Sequence, residues 1–226
     1  MIDLLSKLTY AGGVSTKTYD QYCGIAAALD RVGDRWTLLV LRELSFGECR
    51  FTDLRSRLPG IATNLLSERL RSLEEDGLVE QRELPAPAAR TVYALTPDGR
   101  RVTPVLRALS GFGQAFLPDP VEGAVRPEMV VHGALAPRLD SRAWPDVSLR
   151  LRFELGGGEQ WLEVKNGGLV RPDTSTPPDL VVTGSAAALM ELCRGSARLA
   201  ELEGRLDVTG PRAARRTFAK AFDLVL

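Results

Sequence analysis

Apolar residues along this chain follow two rhythms, helical through the first half and largely alternating in the second. Ile25, Leu29 and Val32 recur at helical spacing. A second apolar face follows at Trp36, Leu39, Val40 and Leu44, with Asp34 placed to cap its helix. A short helix over residues 51–58 ends at Pro59-Gly60. Thr63 then stands as the N-cap of a helix running to Asp76, with Gly77 as its stop. Within that helix Leu66, Leu70 and Leu73 share one face, while Asn64, Ser67, Glu68 and Arg71 project on the other. Two short strands, 78–83 and 90–95, flank a proline-containing tip at 84–89. Thr96-Pro97 opens a further helix, with Thr as N-cap and Pro at the first helical position. Its apolar face at Val102, Val105, Leu106 and Leu109 continues towards Phe112 and Phe116.

Leu117-Pro118-Asp119-Pro120 interrupts this pattern, because two prolines so close together disfavour a continuing helix. The chain is therefore expected to divide into residues 1–117 and 118–226. After a short helical stretch, Leu149, Leu151, Phe153 and Leu155 alternate with polar residues as in a half-buried strand. The glycines at 156–158 turn it into a strand at 160–165, and Asn166-Gly167 is a hairpin signal leading to Leu169-Val170. A strand at 179–183 precedes Ser185, which caps a helix over 186–193. A short helix near 199–202, an extended stretch at 204–209 and a last helix from Pro211 complete the order. That helix carries an apolar stripe at Ala214, Phe218, Ala221, Phe222 and Val225. Phe153, Leu189, Leu192, Phe218 and Phe222 admit two readings: they fill the core, or they line a pocket for an apolar ligand.

The composition, 44% hydrophobic and 26% charged over 226 residues, supports a folded globular chain. No apolar run approaches the roughly 18 residues of a membrane span. Asp3 and the absence of a long apolar stretch make the N-terminus a poor signal peptide, so a cytoplasmic location without membrane association is expected. Cys23, Cys49 and Cys193 are scattered, and His132 is the lone histidine. Neither a metal site nor a disulfide framework is expected, and no cofactor. No GxSxG, P-loop or dinucleotide fingerprint appears, which argues against an enzyme.

The order short helix, tight turn, capped helix, two-stranded ribbon, helix is the plan of a winged helix. A helix that enters a DNA major groove must be apolar where it docks and slim and polar where it reads. Thr63, Asn64 and Ser67 suit base edges, with Glu68 on the same face, and Arg71 can reach a base or a phosphate. Arg50 and Arg55 are candidate phosphate contacts, and Arg82 and Arg90 would sit on the wing. The formal net charge is zero, so affinity for DNA must come from local placement. Between Arg31 and Arg107 every basic residue is arginine, the better residue for bidentate contacts.

Several ordered segments resemble the HxlR family of bacterial winged-helix regulators. They are Ala28-Leu29-Asp30-Arg31-Val32-Gly33-Asp34-Arg35-Trp36-Thr37-Leu38-Leu39-Val40-Leu41-Arg42-Glu43-Leu44, Arg50-Phe51-Thr52-Asp53-Leu54, Ile61-Ala62-Thr63-Asn64-Leu65-Leu66-Ser67-Glu68-Arg69-Leu70, Leu73-Glu74-Glu75-Asp76-Gly77-Leu78-Val79 and Tyr93-Ala94-Leu95-Thr96-Pro97-Asp98-Gly99. The resemblance implies a homodimer, joined through the N-terminal helix and the helix after the wing, that binds a near-palindromic operator on double-stranded DNA, usually as a repressor. It also draws attention to Cys23, since redox- or electrophile-sensing members carry a cysteine at this place. The other reading of Cys23 is a small residue buried at the dimer interface.

Trp161-Leu162-Glu163-Val164-Lys165-Asn166-Gly167, the strand before Ser185, and Gly204-Arg205-Leu206-Asp207-Val208-Thr209-Gly210 resemble the sterol carrier protein 2 (SCP2-like) fold. That resemblance implies a sheet with helices over one face and an apolar small-molecule effector. The expected fold is thus an N-terminal winged helix, mainly α with a two-stranded wing, plus a C-terminal α+β SCP2-like domain. The expected function is a dimeric transcriptional regulator. The alternative is a lipid or small-molecule carrier whose winged helix serves protein contacts.

Overall fold

The computed structural model describes residues 18–84, 90–140, 142–156, 158–170 and 172–225. The proline-containing tip at 85–89, Gly157 of the glycine turn and the first 17 residues, on which the leader reading rests, lie outside them. The chain forms two compact units, one up to Leu106 and one from Arg107 onward. This division falls eleven residues before the expected break at Leu117-Pro118, inside a helix rather than at the prolines.

In the first unit, α1 (Gly24–Val32), α2 (Thr37–Ser45), α3 (Phe51–Arg57) and α4 (Thr63–Glu75) precede an antiparallel ribbon of β1 (Val79–Leu84) and β2 (Arg90–Leu95). The core gathers Val40, Leu41 and Leu44 of α2, Leu54 of α3, Leu66, Leu70 and Leu73 of α4, and Val79 and Leu95 of the ribbon. Asp34 does not cap α2. Its carboxylate instead accepts from Arg69 of α4 at 2.6 Å, and the residue before α2 is Trp36, held in the left-handed region at φ 79°. A non-glycine residue pays for that conformation, and Arg35 lies over the Trp36 ring at 5.9 Å. The buried face of α2 is also rotated from the expected one. Leu39 is 39% exposed, and Leu41 takes its place in the core.

Thr63 is the first helical residue of α4, and Ala62 is the N-cap, so the threonine cap expected there is absent. The helix expected to open at Thr96-Pro97 starts two residues later, with Asp98 in the N-cap position and Gly99 as its first residue, although the Thr96 side chain still bonds across this junction. The Thr96 hydroxyl accepts from the Gly99 N–H at 3.0 Å and donates to the Gly77 carbonyl at 2.6 Å, tying the base of the ribbon to the end of α4. Gly99 follows of necessity, because a Cβ there would stand 1.9 Å from the Leu78 carbonyl oxygen. A 3-10 turn over Gly99–Val102 leads into α5 (Thr103–Gly113).

The second unit begins within α5, and beyond it comes a π-helical stretch, Met129–Leu135, whose Val130, Val131, Ala134 and Leu135 are buried. Its five-stranded sheet has the order β5-β4-β3-β6-β7, made of β3 (Leu149–Glu154), β4 (Glu159–Lys165), β5 (Gly168–Val170), β6 (Leu180–Gly184) and β7 (Leu206–Thr209). Neighbours pair antiparallel except β3 and β6, which run parallel. Parallel pairing demands a crossover rather than a tight turn, and residues 155–179, containing β4 and β5, supply it. Asn166 and Gly167 both take positive φ, 50° and 71°, as a two-residue hairpin of this kind requires.

α6 (Ala186–Arg194) begins at Ser185, whose hydroxyl oxygen accepts from the Ala188 N–H at 3.0 Å. α7 (Arg212–Ala221) closes the unit. Leu149, Leu151 and Phe153 of β3 meet Leu189 and Leu192 of α6 and Phe218 and Phe222 from α7 and its C-cap in one core. The expected arrangement of helices packed against one sheet face is therefore present, in an α+β unit. Val225 falls outside the stripe, 52% exposed, because α7 ends at Ala221. On the other face Glu163 accepts from the Asp173 N–H at 2.8 Å and from Arg150 at 3.0 Å, and together these hold its carboxyl below the usual carboxylate range. Among the described residues no helix is long and apolar enough to cross a membrane.

Two measurements check this packing. Leu70→Ala should remove about 2–5 kcal/mol from the first unit, the usual cost of emptying a leucine site. Calorimetry that resolves the two units checks this, since only the first unit's transition should move. A carboxyl held below its unfolded value stabilises the fold at neutral pH, and that contribution is lost as pH falls below the ordinary carboxylate value. Acid titration of the second unit should therefore show a downward limb that Glu163→Gln flattens, and an unchanged limb would remove Glu163 as its source.

Candidate nucleic-acid interface

α4 divides cleanly into two faces. Leu66, Leu70 and Leu73 are at most 1% exposed, whereas Thr63, Asn64, Ser67, Glu68 and Arg71 are all exposed. The split follows from three to four apolar residues per two turns, which is enough to seat the helix and leave its outer face polar. Ser67 donates its hydroxyl hydrogen to the Thr63 carbonyl at 3.0 Å, a bond to its own helix that a base edge would have to displace or share. Arg71 is 3.9 Å from Glu75 in an open i,i+4 pair. An exposed pair of this kind is worth little and breaks easily for a stronger anion.

Two ion pairs set the position of α4, and neither was foreseen. Arg69 reaches Asp34 between α1 and α2, and Arg31 at the end of α1 reaches Asp76 just beyond α4 at 2.8 Å. Partial burial pushes the Asp76 carboxyl up, opposed by the Arg31 charge. The pair separations, 35 and 45 residues, leave no local pattern to read. Glu43 of α2 is fully buried, its carboxylate accepting two N–H groups from Arg42 at 2.6 and 3.1 Å.

The remaining expected contacts surround α4 in the fold's order. Arg50, which precedes α3, and Arg55 within it are exposed and have no ion pair among the described residues. On the ribbon, Arg82 of β1 donates Nε–H to Glu80 at 2.9 Å, so its guanidinium is held along its own strand. Arg90 opens β2 opposite Leu84, exposed beside the tip. A further pairing was missed: Cys49 and Tyr93 exchange two backbone hydrogen bonds, at 3.0 and 2.8 Å, adding a single-residue third strand to the ribbon. One residue pair has no period, so the sequence carries no signal for it. It also accounts for Cys49, which is buried, with Arg57 donating to its sulfur at 3.3 Å.

Cys23 is exposed in the N-cap position of α1. The backbone N–H groups of Ala26 and Ile25 pull its thiol below the ordinary range. Cys193 is the opposite case, as burial pushes its thiol up to about 12. In the second unit Phe153, Leu189, Leu192, Phe218 and Phe222 are all buried in the core. None of them lines the cleft of about 430 Å³ that opens between Gln114, Ala134, Pro137 and Arg194. Arg138, on its wall, is committed to the fold, donating to the carbonyls of Cys193, Phe222 and Asp223 at 2.6–2.9 Å.

A family model described as HxlR-like helix-turn-helix matches residues 31–120. An HTH-type transcriptional regulator of Methanothermobacter thermautotrophicus is 36% identical over 98 residues, which cover 43% of this chain and 75% of the relative. The HTH-type transcriptional regulator YtfH of Escherichia coli is 33% identical over 110 residues, covering 49% and 86%. A solved MarR-family regulator from Porphyromonas gingivalis superposes with a TM-score of 0.40 at 29% identity, covering 45% of this chain and 99% of that one. The chain belongs to the family of HxlR-like helix-turn-helix transcriptional regulators, through a segment that includes the two-faced helix α4.

Proposed function

We propose that this DNA-binding regulator reads a near-palindromic operator as a homodimer and acts as a repressor, with α4 in the major groove. The observation that carries the reading is the exposed polar face of Thr63, Asn64, Ser67, Glu68 and Arg71 on a helix anchored by a buried leucine seam. Arg50 and Arg55 then hold phosphates beside the groove, and Arg82 and Arg90 reach the backbone or a second groove from the wing. Exposed apolar residues support a second copy of the chain. Ile25 on α1, Val105, Leu109 and Phe112 on α5, and Phe116 just beyond it are all exposed, with the Phe112 and Phe116 rings in tilted contact at 5.2 Å between centroids. Patches of this kind mark association surfaces.

The effector reading of the second unit rests on its resemblance to the SCP2-like fold and on the helices packed over one sheet face. With its five apolar candidates packed in the core, an apolar ligand must open that core to bind among them. A ligand shifts DNA affinity only through unequal affinity for the two states of the regulator. A thermal-shift series with fatty acids and aromatic acids that moves neither unit would remove the effector from the account.

Two further outcomes test the interface. In gel shifts on the protein's own promoter region, Asn64→Ala and Arg71→Ala should lose discrimination between sites by about 1–3 kcal/mol per lost base contact. Arg50→Ala should weaken all sequences alike and reduce the salt slope. Unchanged discrimination in both helix variants would move the reading face off α4. The reading of Cys23 as a sensing thiol predicts that iodoacetamide modifies it faster than free cysteine at the same neutral pH and that the adduct weakens promoter binding. Modification without loss of binding would leave Cys23 a bystander.

A further inference from the structure

α7 carries an arrangement of charge that the helix itself disfavours. Arg212, Arg215, Arg216 and Lys220 are all exposed, no acidic residue lies in the first turn, and none occurs anywhere along the ten residues. Arg212, Arg216 and Lys220 fall at successive i,i+4 positions, one stripe, with Arg215 on its flank. Like charges at that spacing destabilise a helix. Cations near the N-terminus oppose the helix dipole, which would favour an acid there. None of the four has an ion pair among the described residues, although the chain as a whole holds equal numbers of acidic and basic groups. The arginines that serve the fold of this unit are paired or bonded: Arg138, Arg150 and Arg205 each meet a carboxylate at 2.7–3.0 Å. The stripe on α7 is thus set apart from the structural arginines by lacking the partners they have.

The inner side of α7 fixes the stripe in place. Phe218, Ala219 and Ala221 are buried, and the Phe222 ring beyond them meets Phe218 in a tilted contact at 5.4 Å between centroids. A membrane-surface helix needs its apolar face free to enter the lipid, and here that face is occupied by the core. What remains available is charge alone, along a rigid line of about 12 Å from Arg212 to Lys220. Duplex DNA presents one negative charge per about 1.7 Å of axis, so a line of that length meets several phosphates. Three of the four cations are arginine, whose planar fork fits phosphate oxygens.

We propose that the exposed face of α7 is a second DNA-backbone contact, through which the C-terminal unit binds duplex phosphates. The contact is independent of sequence and adds to affinity without adding discrimination. It rests on the DNA-binding reading of the first unit, which brings a duplex within reach of the same chain.

The test uses the full chain and a mixed-sequence DNA duplex, with binding followed by fluorescence anisotropy over a salt titration. The variant Arg212→Gln, Arg215→Gln, Arg216→Gln, Lys220→Gln should lose affinity about tenfold or more at low salt, and its log–log salt slope should fall by about 0.9 for each phosphate contact removed. Its thermal transition should match or exceed the parent's, because like-charge repulsion is relieved. If the fourfold variant does not fold, Arg216→Gln and Lys220→Gln taken singly should each lower the slope by about 0.9. An unchanged slope, alongside a reduced slope in Arg50→Ala, overturns the α7 contact and leaves the α4 reading standing. A parent chain that binds no duplex overturns both. Loss of binding to phosphatidylserine vesicles in the fourfold variant, with DNA affinity intact, overturns the proposal in favour of a membrane surface.

Discussion

Burial of Leu66, Leu70 and Leu73 is the interaction on which the first unit depends, because the same helix must supply both the core and the exposed polar face proposed to read DNA. Each leucine removed from water is worth about 1.5–3 kcal/mol, enough to seat a helix of thirteen residues that would be marginal alone. The seam leaves roughly half of the helix circumference free, and that half is polar. Core and surface are thus one specification: a shift of the apolar pattern by one residue would turn Asn64 and Arg71 off the exposed face they share. The ion pairs Arg69–Asp34 and Arg31–Asp76 hold the helix at its middle and at its C-terminal end, where the leucines alone would tolerate rotation.

The ribbon depends on the same anchoring. Thr96 joins the end of α4 to the start of the next helical turn, and the Cys49–Tyr93 bridge ties the ribbon to the segment before α3. Candidate phosphate contacts at Arg50 and on the ribbon are therefore linked by backbone hydrogen bonds rather than by side chains. In the second unit β3 plays the organising part, flanked by β4 and β6 and burying Leu149, Leu151 and Phe153 against the helices. That core leaves the outer face of α7 unneeded for folding, which is why its charge can be given to another task.

What the sequence makes legible is whatever has a local period or a local cap. The leucine seam, the alternation of β3, the Asn166-Gly167 hairpin and the Ser185 cap are all of this kind, and each stands where expected. The caps at Asp34 and Thr63 are displaced because other partners won: Arg69 claims the Asp34 carboxylate, and Ala62 takes the cap position ahead of Thr63. Pairings between distant residues leave no trace in spacing, so the parallel β3–β6 contact, the Cys49–Tyr93 bridge and the Arg31–Asp76 pair were invisible. Apolar spacing also cannot tell a core face from an association face. Ile25 and Leu39 fit the period as well as Leu66 does, yet they face outward, and only burial separates them. The nine candidate DNA contacts share exposure but differ in freedom, as Arg82 and Ser67 are already bonded within their own elements.

Selection of duplexes from a random-sequence pool by the full chain tests the central claim most directly. A dimer that reads through α4 should enrich a single consensus made of two inverted half-sites, their centres about 34 Å or roughly 10 base pairs apart, one turn of the duplex. A pool that stays random after repeated rounds, while still binding in low salt, would contradict sequence reading by this helix and leave only attraction to phosphates.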